Sequence, residues 1–350
     1  MSDILKGLAG GWNFLVSWVF PSAIAWSVFA LFLFPKLQHV PIFSDINGTS
    51  AANKTLVLVG ASILTGILLS SLSTVLFRVI EAYYLIPGPI AAWLRNRQQR
   101  RQQALRNQLQ DLQDLRENKK SISTDSEETR GSEVSTVGYP LSTKSASMNG
   151  SQAGIDVRIG LIRERLRRYP ADDRQLGPTQ FANALRAIET YGSDRYRLDS
   201  QTLWSELMSA VPDSLRSEEE SARTPINFSV SMMYLSGLLG VACLAVNLSL
   251  AGSTIAPTVV GLISLLLVPA WYRLAVLNTR YLNSVVQAIV NVGRVELAKK
   301  MGLTIPQKLQ DERDMWERVL WFVDERFSEE YVSDLNSYRL EKDEGDQSSK

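Results

Sequence analysis

Residues 224–272 read TPINFSVSMMYLSGLLGVACLAVNLSLAGSTIAPTVVGLISLLLVPAWY, without one ionised side chain. A hydrocarbon core of ~30 Å is crossed by roughly 20 apolar residues in a helix, so the stretch is long enough for two passes. Its only turn-forming break is Ala251, Gly252, Ser253 and Thr254, which predicts a tight hairpin with spans at about 226–249 and 255–277. Working outward, residues 11–34 (GWNFLVSWVFPSAIAWSVFALFLF) lie uncharged between Lys6 and Lys36, and residues 55–77 (TLVLVGASILTGILLSSLSTVLF) stay uncharged until Arg78. They predict spans at about 12–34 and 55–77. The expected fold class is all-α: four transmembrane helices in two pairs, within 1–92 and 224–279, plus a helical cytoplasmic region. The first span fits a cleavable signal poorly, because MSDILK is barely basic and the apolar run exceeds the ~7 to 15 residues of a signal core.

Orientation follows from Lys and Arg, which gather on the cytoplasmic side of membrane spans. Arg78, Arg95, Arg97, Arg100, Arg101 and Arg106 follow the second span, Arg223 precedes the third, and Arg273, Arg280 and Arg294 follow the fourth. The loop from Pro35 to Lys54 carries only Lys36 and Lys54. Both termini and the long middle segment are therefore expected in the cytoplasm. Trp271 and Tyr272 beside Arg273, and Tyr83, Tyr84 and Trp93 after the second span, agree with that, since amphipathic rings favour the headgroup level. The net charge of +1 excludes a strong global field, so any polyanion contact must be local. With one cysteine, Cys243, and one histidine, His39, neither an internal disulfide nor a zinc set of His and Cys ligands is available from one chain. Cys243, inside the third span, reads as a small packing residue.

The cytoplasmic parts divide by composition. Residues 93–120 are strong helix formers without Gly or Pro, and Leu105, Leu109, Leu112 and Leu115 share a face. Arg95, Arg97, Arg100, Arg101 and Arg106 make this basic juxtamembrane helix a candidate for anionic lipid. The alternative is a positive-inside signal continued into a solvated helix. Residues 121–155 are rich in Ser, Thr and Gly and predict a disordered linker. A helical segment is expected at 156–223, in pieces: Ile159, Ile162 and Leu166 on one face before Pro170; a helix after Thr179 ending at Gly192; another from Asp199 to Val211. At 280–340, Tyr281, Leu282, Val285, Val286 and Ile289 continue the fourth span until Gly302, and Pro306 is placed in the first turn of an acidic helix with Trp316, Val319, Leu320, Val323 and Phe327 on its buried face. The tail, 341–350, is polar.

Two stretches carry a resemblance. FRVIEAYYLIPGPIAAWLRNRQQRR follows the second span, and GPTQFANALRAIETYGSDRYRLDSQTLWSELMSAVP contains Asn-x-Leu-Arg-Ala-x-Glu followed by Arg-Tyr-x-x-Asp. They resemble an uncharacterised group of bacterial multi-spanning membrane proteins, to which no activity is attached. The resemblance implies a bacterial cytoplasmic membrane protein. It also implies that Arg78, Glu81, Asn183, Arg186, Glu189, Arg195 and Asp199 belong to one polar arrangement beneath the membrane; the alternative is that they cap helices and pair between them.

No phosphate-binding loop, His-Glu-x-x-His, Gly-x-Ser-x-Gly or EF-hand loop occurs. One histidine deprives most general-base schemes of their usual member, so no catalytic residue, metal or cofactor is expected. Nucleic acid is not an expected partner, because no aromatic platform interleaves the arginines. What the spans offer is packing: Ser62, Gly66 and Ser70 in the second, Ser236 and Gly240 in the third, recur at a spacing that lets backbones approach. The expected partners are the bilayer, a cytoplasmic protein and further copies of the chain. A non-enzymatic scaffold, sensor or regulator acting through its helical cytoplasmic region is the expected function, with a homo-oligomeric channel or membrane-permeabilising effector as the alternative.

Overall fold

A backbone that crosses apolar surroundings must satisfy its own N–H and C=O groups, which leaves helix as the form open to single apolar stretches. The computed structural model describes residues 11–38, 48–82, 87–130, 143–249, 255–324 and 335–339. The expected turn at Ala251 to Thr254, His39, Tyr83, Tyr84, Phe327 and the tail 341–350 lie outside them. The described elements are helical, apart from one antiparallel bridge between Leu303 and Arg339. In chain order they are α1 (Gly11–Phe32), α2 (Ala51–Ser71), α3 (Ser73–Ile80) and α4 (Gly88–Arg130). Then come α5 (Thr143–Leu166), α6 (Gln180–Glu189), α7 (Tyr191–Tyr196) and α8 (Trp204–Ala210). Last are α9 (Asp213–Ser249), α10 (Ile255–Lys300) and α11 (Leu309–Asp324). The chain divides into two compact units, Met1–Tyr84 with Ile188–Lys350, and Leu85–Ala187.

In the first unit, α1, α2, and the apolar parts of α9 and α10 are long and apolar enough to cross a membrane. The fold is all-α with four such helices in two pairs. α9 is the innermost: 44% of its apolar stretch is buried, against 17 to 22% in the other three. It runs beside both α1 and α10, while α1 also packs on α2. Outward positions are apolar and exposed, among them Leu56, Leu64, Leu238 and Leu266, a surface that water does not favour.

α9 and α10 form the longest antiparallel pair, and neither stops where its apolar residues stop. α9 already begins at Asp213 rather than near 224, and α10 continues to Lys300, about 70 Å at 1.5 Å per residue. α9 continues through Pro225, whose carbonyl accepts from the Asn278 amide at 3.1 Å and from the Ser229 hydroxyl at 2.7 Å. Gly302 ends α10, with φ at +73°. There Leu303 N–H reaches the Ala298 carbonyl at 2.8 Å and Gly302 N–H the Lys299 carbonyl at 3.1 Å, the two bonds of a Schellman cap.

Several expected boundaries move. Gly192 lies inside α7 rather than at a helix end; a Cβ there would stand 2.5 Å from the Leu198 carbonyl oxygen, so close approach is what requires glycine. α8 begins at Trp204 rather than Asp199, because the Asp199 carboxylate accepts from Gln201 N–H at 2.8 Å and closes a turn of its own. Pro306 lies ahead of α11, not in its first turn. Leu303 bridges Arg339, and Thr304 N–H donates to the Tyr338 carbonyl at 2.7 Å, which holds the chain extended up to the residue before the proline.

In the second unit α4 and α5 pack together as an antiparallel pair. α4 runs to Arg130 and α5 starts at Thr143, so helical backbone enters the segment expected as a linker from both sides; 131–142 lie outside the described residues. Ile159 and Ile162 are buried, as is Gln102. Thr179 caps α6, its hydroxyl accepting from Ala182 N–H at 3.0 Å.

Candidate functional site

Where α10 has left the apolar region, Asn291 and Arg294 stand one turn apart and gather residues from α7 and α11. The Arg294 Nε donates to Glu312 Oε1 at 2.8 Å, and its guanidinium lies over the Tyr196 ring, 4.2 Å from the centroid. A second guanidinium N–H donates to the Asn291 carbonyl. The Asn291 side-chain oxygen accepts from both Tyr196 (2.9 Å) and Tyr191 (3.2 Å), and the indole N–H of Trp316 donates to Glu312 Oε1 at 3.4 Å. This is a water-poor site: the Glu312 side chain is 6% exposed and Arg294 20%. Leu207, Leu297, Met315, Trp316 and Val319 form the apolar cluster around it.

An outer ring of charge surrounds this pair. Arg197, left-handed at the end of α7 with φ at 56°, donates to Asp314 at 2.9 Å and to Glu317. Arg313 donates to the Asp194 and Arg195 carbonyls at 3.0 and 2.7 Å, closing the C-terminal end of α7. α8 packs on α10 at Gly293, where a Cβ would stand 2.8 Å from Val211 Cγ1. The acids Asp314, Glu317 and Glu312 of α11 are thus met by Arg197 and Arg294. Chemically the arrangement is a clasp: Glu312 is occupied by Arg294 and Trp316, and the tyrosines by Asn291. Among the described residues no group of three His, Cys, Asp or Glu side chains is placed to hold a metal ion.

The apolar helices are tied at both ends of their length. Toward one end, α1 carries a π turn, Leu15–Val19, whose Ser17 carbonyl accepts from the Ser231 hydroxyl at 3.0 Å. Nearby the Tyr234 hydroxyl donates to the Leu76 carbonyl at 2.7 Å. Toward the other, Lys36 Nζ donates to Asn247 Oδ1 at 2.8 Å and the Asn247 amide to Thr258 Oγ1 at 2.7 Å.

The small residues singled out in sequence sit inside this bundle. Ser62 and Gly66 are buried and Ser70 half-buried. A Cβ on Gly66 would stand 3.0 to 3.2 Å from Val19 and Trp18 atoms, so α2 lies directly on the π turn. Ser236 is buried, and Gly240 faces Gly261 of α10. Sequence reasoning missed Gly261 and Ser264, whose signal was a second stripe of small residues with Pro257. It also missed Asn278, Asn291 and Ser231, polar positions with no motif around them.

In the second unit Arg95, Arg97, Arg100, Arg101 and Arg106 are exposed. Arg106 makes a two-pronged contact with Asp173 at 2.9 and 3.1 Å, and Arg116 pairs with Asp156 at 3.1 Å. Exposed pairs of this kind contribute ~0 to 1 kcal/mol. A shallow groove of about 400 Å³ between α4 and α5 is lined by Leu112, Leu161 and Ile162 among others. The expected polar set divides between units: Asn183 and Arg186 fall in the second, Arg78, Glu81, Glu189, Arg195 and Asp199 in the first. Asn183 closes on its own turn, accepting from Gly177 N–H at 2.7 Å and donating to the Gly177 carbonyl at 3.2 Å, and Asp199 caps the turn before α8. Arg195 offers its carbonyl to Arg313.

No known family, no curated protein and no solved structure matches this chain.

Proposed function

We propose that the chain is a multi-pass protein of the bacterial cytoplasmic membrane, with both termini cytoplasmic, that works without catalysis as a scaffold, sensor or regulator. The observation that carries this reading is the continuity of α9 and α10: two paired helices run without interruption from the apolar bundle into the module built by α7, α8 and α11. In this reading a shift in how the apolar helices pack reaches the residues around Arg294 and Glu312 through α10, and by reciprocity a partner bound there biases the bundle. The distribution of Lys and Arg supports the orientation, and the resemblance to bacterial multi-spanning proteins supports the compartment. A cytoplasmic protein is the partner this architecture suits, and further copies of the chain remain compatible with it.

Recordings from the purified protein in planar bilayers test the reading. A scaffold gives no unitary conductance. Reproducible unitary steps that scale with protein would overturn it in favour of a homo-oligomeric channel or a permeabilising effector.

A further inference from the structure

At 3.6 residues per turn, Ile90, Trp93, Arg97, Arg100 and Arg101 of α4 fall within an arc of about 100° on one side of the helix. Every one of the five is exposed, Ile90 by 50% and Trp93 by 61%. The Arg97 guanidinium lies over the Trp93 ring, 5.9 Å from its centroid, which sets a cation on an aromatic face at the surface. Arg95 and Arg106 project from the opposite flank, where Arg106 is engaged by Asp173. No acidic residue occurs from Gly88 to Gln110, so the arc has no counter-charge of its own along that length.

The geometry points to this arc as a docking surface for a bilayer rich in anionic phospholipid. The inference rests on the membrane reading above. Ile90 and Trp93 lead, and an indole with an aliphatic neighbour prefers headgroup depth. The three arginines follow along the same stripe, each with a planar fork of donors matched to a phosphodiester. The end of α3 at Ile80 and the start of α4 at Gly88 are eight residues apart in sequence, a reach of at most about 28 Å. An acidic protein surface would suit the arginines equally, but it would not favour an exposed tryptophan and isoleucine at the head of the stripe. The inference separates the five arginines that composition alone groups together: Arg97, Arg100 and Arg101 contact lipid, while Arg95 and Arg106 do not.

The test uses the full chain with Cys243→Ala and a single reporter cysteine, Ala104→Cys, on the same arc, carrying a fluorophore that spin-labelled lipid quenches. Reconstitution is compared in phosphatidylcholine and in phosphatidylcholine with about a third phosphatidylglycerol. Quenching should appear in the anionic vesicles and fall in high salt. Each arginine at an anionic surface contributes about fivefold, so Arg97→Gln, Arg100→Gln and Arg101→Gln together should lower the bound-to-free ratio on the order of a hundredfold. Arg95→Gln with Arg106→Gln should leave it unchanged. A fluorophore that stays in water in anionic vesicles, or equal losses in the two sets of variants, overturns the assignment. Flotation of the protein with carbonate-washed phosphatidylcholine vesicles reports insertion separately: failure there sinks the membrane reading itself, whereas success there without lipid dependence sinks only the docking surface.

Discussion

Gly240 and Gly261 meet backbone to backbone where α9 and α10 pass: a Cβ on Gly240 would stand 3.0 Å from the Gly261 carbonyl oxygen, and one on Gly261 would stand 3.2 Å from the Gly240 carbonyl oxygen. Between apolar helices the hydrophobic effect no longer discriminates one partner from another in lipid, so close packing decides which faces meet. The crossing is crowded further by Leu265, whose Cγ would lie 2.7 Å from the same added Cβ.

Gly240→Leu should therefore separate the pair. Overpacking costs about 1 to 3 kcal/mol, whereas a single hydrogen bond between helices in a membrane is worth about 0.6. Thermal unfolding in mild detergent should then rank Gly240→Leu well below Tyr234→Phe, which removes only the bond to the Leu76 carbonyl. The reverse ranking would mean that polar ties, not backbone approach, hold the bundle.

Gly66 makes a like contact on the other pair. Its neighbours are the backbone of Trp18 and Val19 in the π turn, which cannot rotate away as a side chain can. Gly66→Leu should lower the detergent melting point by several degrees, while Leu68→Ala, at a position 53% exposed, should change it little. Matching effects at the two positions would remove the case for a close seam between α1 and α2.

These contacts show what the sequence makes legible. Uninterrupted apolar runs announce the four long helices, because length and absence of charge are properties of a segment by itself. Gly302 and Thr179 were equally readable, since caps are local. The clasp was not: Asn291, Arg294 and Glu312 look like ordinary residues of solvated helices until Gly293 lets α8 settle on α10 and α7 turns its tyrosines inward. Pro306 misled for a related reason, since the extended chain before α11 is set by Tyr338 and Arg339, far along the sequence.

Orientation gives a third prediction. In a Cys243→Ala background, a cysteine at Thr49 should react with an impermeant maleimide added to intact cells, and one at Glu117 only after permeabilisation. The expectation rests on the arginines after the second apolar helix and the near absence of charge ahead of it. Labelling of the Glu117 position from outside would invert the whole arrangement and with it the assignment of α4 to the cytoplasm.

The last prediction concerns the pair formed by Arg294 and Glu312. Removing one member of a buried ion pair costs about 3 to 5 kcal/mol, because the partner is left charged without water or counter-ion. Glu312 also holds the Trp316 indole, and Arg294 lies on Tyr196, so a single loss loosens α11 and α7 together. Glu312→Ala should thus abolish slow hydrogen exchange through α11 and around Tyr196 while leaving the apolar helices protected. Replacing both members by methionine should restore most of that protection, since a well-packed apolar pair matches a buried ionic one in stability. The two single changes and the double change form a cycle whose coupling should exceed about 1 kcal/mol. A coupling near zero would show that solvent reaches the pair, and that the apolar cluster around Trp316 fixes the module on α10 without it.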